Sequence, residues 1–127
     1  MAIWSAARHD RLQHAVPFIG AVNIARGIAV NALWPRTTIA TSAIKKFRGD
    51  AVMRASRTPD ILADAAHAIF LKDAKTFTGN FLIDDTFLFA NGVRDFDRYR
   101  IDPGVDLEPD FFVPDDPPPV SLKKAAG

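Results

Sequence analysis

Two segments of this sequence that are typical of buried strands, the second opened by Gly79, end in residues of the kind that contact bound ligands. Residues 28–33 are almost continuously apolar and lead through Pro35 into Thr37, and residues 77–83 lead into Asp84. Runs of this length, bounded by glycine, proline or polar residues, are typical of strands covered on both faces. In doubly wound sheets, cofactors and substrates bind where the parallel strands end. We therefore expect ligand chemistry at these two strand ends.

The charged side chains elsewhere give less specific signals. Asp84 and Asp85 are adjacent, and in a strand they would point to opposite faces, so we interpret them as the end of the strand rather than as an acid and base pair. A group of basic residues follows the first strand. It could bind a phosphate-bearing substrate or coenzyme, but a helix C-terminus favours cations by itself, and we prefer that interpretation. This group comprises Lys45, Lys46, Arg48, Arg54 and Arg57.

Histidine and cysteine usage predicts no metal site. His9, His14 and His67 are not accompanied by cysteines or carboxylates at the spacing of metal ligands. The chain has no cysteine, which excludes a disulfide framework, a thiol nucleophile and a zinc ribbon. This composition fits a reducing compartment, and we expect a cytoplasmic protein.

The overall composition is that of an ordinary globular domain. The chain has 127 residues and a formal net charge of +1, so no strong field of one sign attracts a polyanion. The apolar stretch over residues 15–25 is too short to cross a bilayer and contains Pro17 and Asn23. We expect neither a nucleic-acid partner nor a membrane partner.

The apolar periodicity predicts two helices between the two runs. The first starts from a cap at Thr37 or Thr38 and ends at Gly49. The second starts from a cap at Thr58 and ends near Lys72. Its apolar stripe comprises Leu62, Ala65, Ala66, Ile69 and Phe70. Strand, helices and strand in this order predict a right-handed crossover, a parallel strand pair and an α/β fold.

The flanking segments carry weaker patterns. Residues 1–26 fit neither helical nor strand periodicity and are left unassigned, with a non-native leader as one interpretation. From Asp84 onward the aromatic residues are spaced irregularly, which indicates a segment docked through aromatic side chains rather than a regular element. Residues 114–127 form a Pro-rich tail that we expect to be extended and disordered.

Three motifs together resemble the short-chain dehydrogenase/reductase family. They are the strand and proline loop over residues 32–37, the segment over residues 78–81 and the segment over residues 109–112. The order of these motifs matches the C-terminal half of that family, and the resemblance covers residues 27–113. It implies that the chain is the C-terminal βαβ part of a doubly wound, Rossmann-type parallel sheet, here truncated.

The resemblance also implies a cofactor, NAD or NADP. In the family, the nicotinamide carboxamide meets backbone and hydroxyl groups just after the proline of this loop. Arg36 stands where the family usually has glycine, which puts a close backbone approach at that point in doubt. The helix that follows would belong to the substrate lid. The candidate cofactor contacts carried over to this sequence are Pro35, Thr37, Thr38, Ile39 and Thr41.

The sequence departs from the family upstream of the first strand. The family's catalytic tyrosine and the lysine four residues later should precede Gly27 closely, but residues 1–26 contain neither residue type. The sole tyrosine, Tyr99, is followed at the fourth place by Pro103 and cannot be carried over as catalytic. A glycine-rich phosphate loop is also missing. We therefore assign no catalytic residue and expect weak or no binding of the cofactor.

Three functional hypotheses follow from these observations. The first is an NAD(P)-dependent oxidoreductase acting on an alcohol or carbonyl, represented here by a fragment that is inactive alone. The second is a non-catalytic piece that forms homo- or hetero-oligomers through its last strand and the neighbouring helix, because two strands alone leave an open sheet edge. The third is a small binding module in which the aromatic segment closes an apolar pocket.

Overall fold

The structure, a computed structural model, describes residues 6–111, 113 and 115–125, with side chains from residue 14 onward. Its elements confirm the predicted α/β class. In chain order they are α1 (Ala6–Asn23), a 3₁₀ turn (Ile24–Arg26), β1 (Ala32–Trp34), α2 (Ser42–Arg54), α3 (Asp60–Phe70), β2 (Phe81–Ile83), α4 (Asp84–Ala90) and a second 3₁₀ turn (Asp97–Tyr99).

The two strands form a parallel pair, as predicted, in which Leu33 lies opposite Leu82. Each strand has three residues and is shorter than its apolar run, because side chains replace backbone partners on the N-terminal side. The Asn31 amide group donates to the carbonyl of Phe77, and its Oδ1 accepts from the backbone of Asn80 at 3.1 Å. The strand residues are half-buried, except for the buried Ile83, rather than covered on both faces as the sequence indicated.

The first predicted helix begins later than its sequence indicated. Thr41 caps α2, and its hydroxyl accepts from the backbone N–H of Ile44. Residues 37–40 are extended instead, because their backbone pairs with other segments: the N–H of Ala40 donates to the carbonyl of Arg57 at 2.8 Å. At Gly49 the backbone leaves helical geometry with φ 81°, so the predicted terminator marks a kink within α2.

Helix α3 confirms the second predicted helix, and Leu62, Ala65 and Ile69 of its predicted stripe pack in or against the core. Pro59 rather than Thr58 occupies the N-cap position. The fully buried residues are Ile61 and Ala65, whereas Phe70, predicted as part of the buried stripe, is 82% exposed. The core that α3 forms with the following segment comprises Ile61, Ala65, Phe87, Leu88, Phe96 and Tyr99. The aromatic residues are therefore docked as predicted, but part of their segment is a regular helix, α4.

Helix α1 lies in the segment that the sequence left unassigned, and it packs against the turn before β2. A Cβ atom on Gly20 would lie 2.7 Å from the backbone nitrogen of Gly79, so only glycine fits at this approach. Gly79 itself has φ 76°, a conformation that side chains disfavour. Phe18 and Val22 on α1 are exposed. The domain boundaries at residues 26 and 113 and the non-native leader stay predictions.

The described part of the C-terminal tail is extended and hydrogen-bonded to the body of the chain. The backbone N–H of Leu107 donates to the carbonyl of Leu122 at 2.8 Å, and that of Ala125 donates to Pro103 at 2.9 Å. Its Pro-rich composition did not indicate these bonds. None of the helices in the described ranges combines the length and hydropathy needed to cross a bilayer.

Candidate functional site

The carboxyl ends of β1 and β2 lie side by side and are joined through Arg36 and Asp84. The chain leaves β1 at Pro35 and leaves β2 directly into α4. The backbone N–H of Arg36 donates to Asp84 Oδ1 at 3.0 Å, and the same oxygen accepts from the N–H of Asp85 at 2.7 Å. A single carboxylate therefore caps one strand end and the start of α4.

Asp85 lies between two buried arginines. Its Oδ1 is 3.1 Å from Arg36 Nε and its Oδ2 is 3.1 Å from Arg57 Nη1. The side chains of Arg36, Asp85 and Arg57 are 4%, 0% and 1% exposed. Arg36 also donates to Thr86 Oγ1 at 2.8 Å. We call Arg36, Asp85 and Arg57 the buried ionic cluster.

The structure confirms the interpretation of Asp84 and Asp85 as the end of the strand, because β2 ends at Ile83. The two acids form the first turn of α4, where both are fully buried. The sequence signal for an ion pair between the strand ends was Arg36, at a position where glycine is usual, together with Asp84 and Asp85 after the second strand.

Asp84 differs from Asp85 because one of its oxygens lacks a partner. Burial raises the pKa of Asp84 to about 6, against the two backbone N–H groups that lower it, and the neighbouring Asp85 carboxylate raises it further. Asp84 Oδ2 is buried and has no hydrogen-bond partner among the described residues. A buried carboxyl with a raised pKa therefore lies directly beside the segment that leaves β1.

The five predicted cofactor contacts lie on one continuous segment that leaves β1, but their side chains serve different purposes. Thr37 and Thr38 are buried. Thr38 Oγ1 shares a 2.7 Å hydrogen bond with Ser56 Oγ, and Thr41 caps α2. Pro35 and Ile39 are half-buried and Thr41 is exposed. A ligand could therefore reach this segment through its backbone groups and through Thr41, with the hydroxyls of Thr37 and Thr38 turned into the protein.

The basic group predicted around α2 does not form one cluster. Arg48 lies 3.4 Å from Glu108, and Arg54 lies 2.7 Å from Asp102. Arg57 instead enters the buried ionic cluster, so a set of adjacent cations is divided among three acidic partners in different parts of the fold. Within the ranges that the structure describes, no three histidine or carboxylate side chains come together as metal ligands.

An open apolar cavity of about 410 Å³ lies between α3 and the chain leading into β1. Val30 and Leu33 line one side, and Ile69 and Phe70 line the other. Leu33 and Ile69 also pack against the aromatic core, so the cavity lies at the edge of that core. β1 is half-buried and Phe70 is exposed on the side where this cavity opens.

Comparison with known proteins gives relatives of one kind. The chain is 52% identical to hydroxysteroid dehydrogenase-like protein 2 of Xenopus tropicalis over 90 residues, which are 71% of this chain and 21% of that protein. The Bos taurus protein of the same name is 52% identical over 98 residues, 77% of this chain and 23% of its own length. The chain therefore spans about a fifth of the curated relatives it matches. No family model matches it.

Solved structures agree with the sequence relatives. A protein of Xanthomonas campestris assigned as a dehydrogenase superimposes with a TM-score of 0.71 and 44% identity, covering 80% of this chain and 37% of that one. A short-chain dehydrogenase of Mycobacterium thermoresistibile gives a TM-score of 0.71 and 38% identity, covering 84% of this chain and 38% of that one. By sequence and by fold, most of this chain is similar to a part of a short-chain dehydrogenase/reductase, as its motifs predicted.

Proposed function

We propose that this chain represents the nicotinamide-side part of an NAD(P)-dependent oxidoreductase that acts on an alcohol or carbonyl, and that it is inactive alone. The observation that carries the proposal is the segment Pro35, Thr37, Thr38, Ile39 and Thr41, held at the ends of two parallel strands by Asp84 and the buried ionic cluster. Strand ends of this kind are where such sheets bind ligands. A cytoplasmic location belongs to the same proposal.

The segment fits one end of the cofactor and not the whole of it. A nicotinamide cofactor would bring hydride transfer when bound. This chain would orient the ring through backbone groups near Pro35 and Ile39 and through the exposed Thr41. The sequence has no glycine-rich loop for the diphosphate, and it has no tyrosine followed four residues later by lysine to donate a proton. Positioning of one cofactor end is therefore the contribution we assign to it.

Titration of the purified chain with NADH and NADPH tests this proposal. We expect nicotinamide fluorescence to show no saturation below about 1 mM, because one end of a cofactor offers little of the total binding free energy. We also expect no oxidation of either cofactor with carbonyl substrates. Micromolar affinity for either cofactor, or measurable turnover, would contradict the proposal of an inactive part.

A second candidate function is pairing with another dehydrogenase chain or with a second copy. The observations that favour it are the open apolar cavity beside β1 and the exposure of Phe70 and Leu71, which are 82% and 74% exposed. A sheet with an open edge and an apolar face tends to recruit a further strand or chain.

The oligomeric state tests this second candidate. We expect sedimentation equilibrium to show a dimer, and we expect Phe70→Asp to return the chain to a monomer because it puts a charge into the apolar contact. Ile101→Asp is the matched control, since Ile101 is 41% exposed and does not line the cavity. A wild-type monomer that also fails to co-elute with a short-chain dehydrogenase would exclude the pairing function.

A further inference from the structure

A second cavity, which the proposed function does not use, lies between the second 3₁₀ turn and the C-terminal tail. Its volume is about 350 Å³. Residues 94–97 and Arg100 line one side, and residues 120, 121 and 123–125 line the other. The tail thus closes a space against the body of the chain.

The lining of this cavity carries surplus positive charge. Five cationic and two acidic side chains line it, and Asp85 and Asp106, which pair with Arg57 and Lys123, reduce this surplus without cancelling it, so the electrostatic potential inside favours an anion. The cationic residues are Arg57, Arg94, Arg100, Lys123 and Lys124, and the acidic residues are Asp95 and Asp97.

Two of these cations are fixed in the wall. The side chain of Arg100 is 3% exposed, and its Nε donates to Asp97 Oδ1 at 2.7 Å. Its other nitrogens donate to the carbonyls of Val105 and Lys123. The Arg57 side chain is 1% exposed and is held by Asp85. A guanidinium fixed before a ligand arrives loses little conformational entropy on binding.

Arg57 also has a donor that the protein does not use. Its Nη1 contacts Asp85, but its Nε is buried without a hydrogen-bond partner among the described residues. Leaving a buried donor unsatisfied is unfavourable, but this nitrogen has almost no accessible surface, so the Arg57 guanidinium acts on a ligand in the cavity through its charge rather than through this donor.

The tail presents its lysines on a fixed backbone. The N–H of Lys124 donates to Asp106 Oδ1 at 2.7 Å, close to the hydrogen bond between Leu107 and Leu122. The side chain of Lys123 is 82% exposed, and its contact with Asp106 at 3.3 Å is the weak pairing expected at a surface. Both ammonium groups can therefore turn toward an anion at the mouth of the cavity.

We propose that this cavity binds a phosphate-type oxyanion. Arg57 and Arg100 are paired with Asp85 and Asp97, so the cations free to meet a ligand are the exposed Lys123 and Lys124 at the mouth, and two ammonium groups match a group that carries more than one negative charge. The ligand would sit between the tail and the body of the chain, so its binding would also hold the tail in place.

Calorimetric titration of the full chain with inorganic phosphate and with pyrophosphate tests this proposal. We expect saturable binding that is stronger for pyrophosphate and that weakens as potassium chloride is added. Lys123→Glu combined with Lys124→Glu should weaken binding by about tenfold or more, since two attractive charges become repulsive. Lys45→Glu combined with Lys46→Glu gives the same change of net charge on exposed residues that do not line the cavity.

Charge reversal could also disrupt the contacts of the tail, so a second variant combines Lys123→Gln with Lys124→Gln. This neutral variant should also weaken binding more than the control pair does. Binding that is equally weakened by the control pair would mean a general effect of net charge and would overturn the proposal. Absence of saturable binding to the wild-type chain at low ionic strength would overturn it as well.

Discussion

Replacing Asp85 with asparagine is expected to lower the free energy of unfolding by about 3–5 kcal/mol, the largest effect of any single substitution that we predict. Asp85 is fully buried and is the carboxylate 3.1 Å from both Arg36 and Arg57. Without it, two buried guanidinium groups lose their counter-charge while they stay out of water. Because domains of this size are stable by about 5–15 kcal/mol, the variant should unfold at much lower urea concentration.

Asp102→Asn is the matched control for this substitution. It removes a carboxylate 2.7 Å from Arg54, in a pair whose side chains are 60% and 30% exposed on Arg54 and Asp102. Exposed pairs of this kind contribute about 0–1 kcal/mol. Urea unfolding followed by circular dichroism compares the two variants, and equal losses for both would mean that the buried ionic cluster does not hold the strand ends.

Acidification from about pH 7 to about pH 5 is expected to raise the free energy of unfolding by about 1 kcal/mol through Asp84. Burial raises the pKa of this carboxyl from 3.8 to about 6, so the folded chain binds a proton more readily than the unfolded chain in this range. Stability therefore falls as the pH rises through the window between these two values. Above about pH 6 the full penalty applies, about 3 kcal/mol for a shift of this size.

Asp84→Asn should remove most of this pH dependence. The asparagine Oδ1 can still accept from the N–H groups of Arg36 and Asp85, which Asp84 Oδ1 now accepts at 3.0 and 2.7 Å. Its amide nitrogen would replace the oxygen that has no partner among the described residues. Unfolding measured across this pH range in both proteins gives the test, and an unchanged slope in the variant would assign the pH dependence to other groups.

The order of β1, α2, α3 and β2 followed from local patterns in the sequence, whereas α1 and α4 did not. The apolar runs, Gly49 and the spacing over residues 60–70 act within a few residues of each other, so periodicity and turn chemistry predicted the parallel pair and both helices. The strand lengths did not follow, because Asn31 bonds across to residues almost fifty positions away. A local sequence pattern cannot indicate a partner that is so far away along the chain.

The contacts inside the candidate site also join residues that are far apart in the sequence. Thr37 and Thr38 resemble a helix cap in sequence, but the backbone of this segment pairs with Arg57 and Glu108. Asp85 became recognisable as an ionic centre only when Arg36 and Arg57 were brought to it by the fold. In contrast, the motifs over residues 32–37, 78–81 and 109–112 together were sufficient to indicate the family to which the relatives point.

Hydrogen exchange at the backbone amides of Thr38, Ala40 and Arg57 tests most directly whether the buried ionic cluster holds the ligand segment in this chain. These three amides donate to the carbonyls of Glu108, Arg57 and Thr38. The structure predicts strong protection of all three in the wild-type chain and loss of that protection in Asp85→Asn, with the exposed-pair variant Asp102→Asn unchanged. Exchange of these amides in the wild-type chain at the rate of an unfolded peptide would contradict it.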